Sequence, residues 1–137
     1  TGTGTNGNNG TRVALCFADV RGYQKIGVYT GNGNADGTFV HCGFKPAFII
    51  AKRLDSASAG NWQLVDNKRS PFNVAVNTLS PDVSDQEYTS ETDIDMLSNG
   101  FKIRENAQIN VSGSTYLFHA IAENPFVTST GVPATAR

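Results

Sequence analysis

Charge is scarce in this chain. Only 17% of its 137 residues are Asp, Glu, Lys or Arg, and 11 bases against 12 acids leave a formal net charge of -1. The bases nowhere cluster, whereas tracking a nucleic-acid backbone needs a basic face, so that partner is disfavoured. Long apolar runs are also missing. Nothing approaches the ~20 residues of a membrane-spanning helix, so membrane insertion is not expected, and no signal-peptide pattern is present. Cysteine and histidine number two each. A Cys16–Cys42 disulfide is arithmetically possible, but a secreted disulfide scaffold would be smaller and denser. The preferred reading is two small hydrophobes buried in strands. His41 and Cys42 are adjacent and no CxxC exists, so a zinc site lacks its spacing. Long stretches of strong helix formers are absent too, which disfavours a helix bundle.

Small polar residues are plentiful instead. Gly (14), Asn (13), Thr (13) and Ser (10) make up over a third of the chain. Aromatics at 9% and low charge argue against global disorder. The composition is that of a turn-rich, mostly β domain. Residues 1–10 (TGTGTNGNNG) read as a linker, and their Gly2-x-Gly4-x-x-Gly7 lacks the strand and helix that a dinucleotide fingerprint requires.

Period-two patterning then predicts a series of strands. Thr11 to Asp19 sets Val13, Leu15 and Phe17 on one face and Ala14, Cys16 and Ala18 on the other, as in a central strand packed on both sides. Tyr23 to Thr30 follows. Gly31-Asn32-Gly33-Asn34 offers type I′ hairpin chemistry before a strand from Thr38 to Cys42. Pro46 interrupts pairing, and Ala47 to Lys52 (AFIIAK) is expected to be the most buried strand. Trp62 and Leu64 form one alternating set, with Trp62 read as a core residue, and Phe72, Val74 and Val76 form another. Ile94 and Met96, then Phe101 and Ile103, flank a turn at Ser98-Asn99-Gly100. Ile109 and Val111 alternate next, inside an Asn110-Val111-Ser112 glycosylation sequon. Thr115 to Ala122 (TYLFHAIA) is the last strong strand, and 124–137 reads as an extended tail. Nine to eleven short strands with frequent turns suit an all-β, two-layer antiparallel sandwich, with the jelly roll as one form of it. The domain boundaries are then a linker at 1–10, a sandwich at 11–123 and the tail at 124–137.

Residues 78–93 stand apart as a long, polar stretch. From Asp82 to Asp95 there are six acids and no base. A solvated surface loop is the preferred reading; clustered carboxylates would also suit calcium, but no EF-hand spacing exists. Tyr88, with Asp85 and Glu87 beside it, is the best exposed candidate for contact with a receptor, and Trp62 is a second aromatic able to stack on a sugar ring. Asp93 and Asp95 share a strand face at about 6.5–7 Å, a spacing that a glycosidase could use but that any Asp-x-Asp strand has. No catalytic set, metal site or cofactor is implied, and an enzyme is not expected.

One similarity is internal. TRVALCFAD from Thr11 and TYLFHAIAE from Thr115 both run Thr, an apolar strand, Ala and an acid, 104 positions apart. The chain either starts with the last strand of a preceding unit or holds two like strands in one sheet.

Tyr29 to Gly33, Gly43 to Pro46, Ala122 to Phe126 and Ala136-Arg137 also carry an outside resemblance. Together with SNGFKI (Ser98 to Ile103), they resemble a β-rich domain of unknown function that recurs in structural proteins of tailed bacteriophages, notably marine and cyanobacterial ones. The family brings no established catalytic residues. The resemblance implies the C-terminal domain of a tail fibre or other virion appendage, a homotrimer that contacts other virion proteins and a host-surface glycan. Phe126 and Val127 are candidates for the subunit contact. A capsid decoration or adaptor protein is the alternative, and a polysaccharide-degrading tailspike domain a further one.

Overall fold

The computed structural model describes residues 11, 14–56, 60–90 and 92–125. The described residues form eight strands and no helix. In chain order they are β1 (Gln24–Thr30), β2 (Phe39–His41), β3 (Pro46–Arg53), β4 (Gln63–Asp66), β5 (Thr78–Leu79), β6 (Ile94–Leu97), β7 (Gly100–Ile103) and β8 (Thr115–Ala122). They build two antiparallel sheets, one ordered β1-β8-β3-β4-β5 and the other β2-β7-β6. The fold is therefore the expected all-β sandwich. First and last strands are neighbours in one sheet, second and seventh in the other. This nesting is how a jelly roll wraps its chain, while β3–β4 and β6–β7 are local hairpins.

The core lies between the sheets and is aromatic at its centre. Alternation along β8 sends Tyr116, Phe118, Ala120 and Ala122 inward. Tyr29 of β1 stacks on Tyr116 with ring centroids 5.1 Å apart, and Phe101 of β7 meets Phe118 edge-on at 5.5 Å. Such pairs add about 0.5–1.5 kcal/mol beyond the area they bury. Space for the Phe118 ring comes from its cross-strand partner Gly27, where any Cβ would sit 2.9 Å from the ring. Ile49, Ala51 and Val65 complete the inner face of the large sheet, and Val40, Ile94, Met96 and Ile103 that of the small one.

Buried hydroxyls pin the loops at one end of the sandwich. The Tyr29 hydroxyl donates to the Ile109 carbonyl at 2.8 Å. The Tyr116 hydroxyl accepts from Val111 N–H and donates to the Gln108 carbonyl. Asn110, fully buried, places the two N–H bonds of Nδ2 among three acceptors, Asn32 Oδ1 at 2.9 Å, the Asn34 carbonyl at 2.8 Å and the Glu105 carbonyl at 2.7 Å, while its Oδ1 accepts from Asn32 N–H. Burial raises the pKa of Glu105 despite N–H bonds from Ile109 and Ala107.

Several sequence expectations are corrected. Residues 14–19 form no strand; Val20 makes only an isolated bridge to Gln24, and at the free edge of β1 the Asp19 side chain, not a backbone ladder, takes the Ile26 N–H. Residues 31–34 are not a hairpin turn but a crossover between sheets, since β1 pairs with β8 and β2 with β7. Gly33 still uses the positive φ (67°) that Asn-Gly chemistry allows. In β4 the faces are exchanged: Gln63 and Val65 point to the core, and Trp62 and Leu64 outward. Phe72 is 82% exposed on a loop, and Val74 lies outside any strand. Ile109 is buried by turns rather than by a ladder. β3 is not the most buried strand: only one of its faces is covered, as is true of β8, whereas three of the four residues in β6 and in β7 are buried. Both cysteines are free: Cys42 is buried, its thiol pushed up to about 11 chiefly by burial, and Cys16 is exposed. The asparagine of the glycosylation sequon is fully buried, which closes it to a glycan.

Candidate functional site

The outer face of the five-stranded sheet is as apolar as a core face but is left open. Its floor consists of Ile26 from β1, Leu117, His119 and Ile121 from β8, and Phe48 and Ile50 from β3. These residues hold the outward parity of their strands, opposite the buried set. Leu15 and Phe17 form one wall; Trp62, Pro81 and Asp82 form the other. The groove has a volume of about 760 Å³, within the ~300–1,000 Å³ usual for ligand sites.

Polar groups in it are few and mostly engaged. His119 places Nε2 3.1 Å from Gln24 Oε1, and its ring lies 4.7 Å from that of Phe17. Burial lowers its pKa, opposed by the Asp19 carboxylate. Asp82 Oδ1 accepts from Trp62 N–H at 3.0 Å, and its Oδ2 lies 3.7 Å from Lys52 Nζ. Asp82 therefore fixes the second wall to β3.

The first wall is anchored at its base. Val20 and Gln24 exchange backbone bonds, and Tyr23 N–H bonds the Val20 carbonyl. Asp19 Oδ1 accepts from Ile26 N–H at 2.6 Å, and Gln24 Nε2 donates to the Ala18 carbonyl. From there residues 14–18 rise over the sheet edge without a ladder bond among the described residues. Leu15 is 78% and Phe17 58% exposed.

The residues expected to meet a receptor are only partly brought together. Tyr88 is half-buried; its backbone is bridged to Thr78, and its hydroxyl donates to Asp85 Oδ2 at 2.6 Å. Asp85 is exposed. Glu87 accepts from Arg69 at 3.0 Å and from Asn77 Nδ2 at 2.7 Å, which ties the acidic segment to β4 through the Asp66–Arg69 pair. Trp62 belongs to the groove wall instead. Asp95 is buried and accepts from Arg104 Nε at 2.6 Å. Among the described residues no three His, Cys, Asp or Glu side chains converge as a metal-holding group. Phe126 and Val127 lie outside the described residues.

The groove itself was not among the expected sites. Its signal was present in AFIIAK and TYLFHAIA, where positions of both parities are large and apolar. A one-faced antiparallel strand would have put polar residues at Ile50, Leu117 and Ile121.

Fold and groove define the class, an all-β sandwich with one face of its larger sheet packed and the other open. The chain belongs to the domain family DUF7483, a domain of unknown function, which matches residues 1–125. No curated protein and no solved structure matches it.

Proposed function

We propose that this domain is a non-enzymatic structural module of a tailed-phage virion, part of a tail fibre or related appendage that takes part in host-surface attachment. The observation that carries the reading is the amount of apolar surface left on a small sandwich. Leu15, Phe17, Val28, Phe39 and Phe72 are all exposed beyond what a solitary domain needs, as suits a part packed among others. The motifs shared with phage structural proteins support the same reading. So does the acidic segment, where Tyr88 and Asp85 are held by cross-links rather than free to sweep, and so form a fixed polar surface suited to sugar hydroxyls.

Immunogold labelling of particles with antibody to this domain tests the placement. Label on a tail appendage is the expected result, and label over the head surface would favour decoration of the capsid. Host attachment is tested separately by Tyr88→Ala with Asp85→Ala. Slower adsorption with intact particles is expected, whereas unchanged adsorption together with an empty glycan array would leave only the structural role.

A further inference from the structure

We propose that Lys45 and Asn67 join through an amide bond between their side chains, with Glu123 carrying protons from one to the other. The three residues stand at one end of the large sheet, where β8, β3 and β4 are neighbours. Lys45 precedes β3, Asn67 follows β4 and Glu123 follows β8. Backbone bonds hold them there. Glu123 N–H bonds the Lys45 carbonyl at 2.9 Å, and Asn67 N–H bonds the Ala47 carbonyl at 2.9 Å. The side chains then meet on one carboxylate. Lys45 Nζ lies 2.9 Å from Glu123 Oε2, and Asn67 Nδ2 donates to Glu123 Oε1 at 2.9 Å.

An amine that displaces an amide nitrogen needs this set: a nucleophile, a group to take its proton, and a leaving nitrogen within reach of the same group. The step needs no further reactant. Glu123 takes one proton from the Lys45 ammonium, and the lone pair freed on Nζ forms a bond to Asn67 Cγ. The Cγ–Nδ2 bond then breaks, its electron pair staying on Nδ2. Both protons shed by Nζ pass through Glu123 to Nδ2, which leaves as ammonium, and the carboxylate is regenerated. The Lys45 and Glu123 side chains are 47% and 33% exposed, so the ammonium has a way out to solvent. Asn67 Oδ1 is buried and has no hydrogen-bond partner among the described residues, a costly state for an amide. Once Glu123 holds a proton it can supply the missing donor, and a hydrogen bond there opens Cγ to attack. A second bridge in the molecule shows what the lysine adds. Arg69 Nη1 and Asn77 Nδ2 lie 3.0 Å and 2.7 Å from the two oxygens of Glu87. A guanidinium does not give up its proton, so that bridge stays a polar contact, whereas an amine in the same arrangement can react. The new bond would staple the β3–β4 hairpin at its open end, opposite the 54–62 connection.

The test is mass spectrometry of the folded chain, held for days at mildly alkaline pH, where a lysine amine is more often neutral. The product should be lighter by one ammonia, about 17 Da. Its tryptic digest should contain residues 26–52 and 54–68 as one branched peptide. Lys45→Arg and Glu123→Gln should both keep the full mass. The bonded chain should also melt roughly 5–10 °C above Lys45→Arg, because a cross-link restricts the unfolded chain. Full mass throughout would overturn the proposal. So would a loss of ammonia with 26–52 and 54–68 recovered as separate peptides, which would assign the loss to a succinimide at Asn32-Gly33 or Asn99-Gly100. The same loss in Glu123→Gln would contradict the role given to Glu123. The digest of the unsubstituted chain decides whether the bond forms, even if a variant fails to fold.

Discussion

Residues 14–19 and β8 share one sequence pattern and meet opposite fates. β8 lies between β1 and β3, bonded along both edges, and buries Tyr116 completely. Residues 14–19 run past the edge of the same sheet with no ladder, and show Leu15 and Phe17 to solvent. Alternation of apolar residues is therefore a capacity to be a strand, and neighbours on both edges realise it. The two faces of the large sheet repeat the lesson. Both are apolar, and only the one opposite β2, β6 and β7 is a core.

The comparison is broken most severely by truncating one aromatic ring in each segment. Tyr116→Ala should cost about 3–5 kcal/mol, since it removes a ring stacked on Tyr29 and a hydroxyl holding the 108–111 turns. Phe17→Ala should cost under about 1 kcal/mol, because the ring is mostly exposed. Urea unfolding of both variants checks the contrast, and equal losses would mean that the segment carries this domain's stability. Asn110→Ala comes next, at about 2–3 kcal/mol, because it leaves the carbonyls of Asn34 and Glu105 without their donor. Its signature should be release of the Asn32–Asp36 loop, visible as amide shifts confined to that end of the sandwich.

A smaller effect concerns the groove floor. His119 ionises at lower pH in the folded chain than in the unfolded one, chiefly because it is buried. Below the usual histidine value near 6.5, the unfolded chain takes up a proton that the folded chain does not. This contribution to stability is thus whole at neutral pH and shrinks as pH falls through 6.5 toward the lowered folded value. His119→Gln should flatten the change in urea midpoint between pH 7.5 and 5.5. An unaltered slope would show that the ring ionises alike in both states.

Much of the frame could be read from the residues, and the failures share a cause. TYLFHAIA and the Ser98-Asn99 hairpin were legible because pattern and turn chemistry agree locally there. Trp62 and Leu64 were assigned to the wrong face because period two fixes alternation but not which side is covered. With Ile50, Leu117 and Ile121 apolar on the outer side, parity carried no label. Phe72 and Ile109 looked like strand residues, yet neighbouring polar groups had already claimed the backbone: Asn73 bonds both N–H and C=O of Met96, and Glu105 accepts from Ile109 N–H. The acidic run 82–95 gave no hint of its partners, since Lys52, Arg69 and Arg104 reach it from other strands or from beyond the run.

Hydrogen exchange on the intact chain tests the central claim most directly, that the same pattern is a strand in one place and an unpaired segment in the other. Amides of Tyr116 to Ile121 should exchange only through global unfolding, and those of Ala14 to Phe17 at rates near the unprotected limit. Protection of Ala14 to Phe17 within tenfold of the β8 amides would contradict the account.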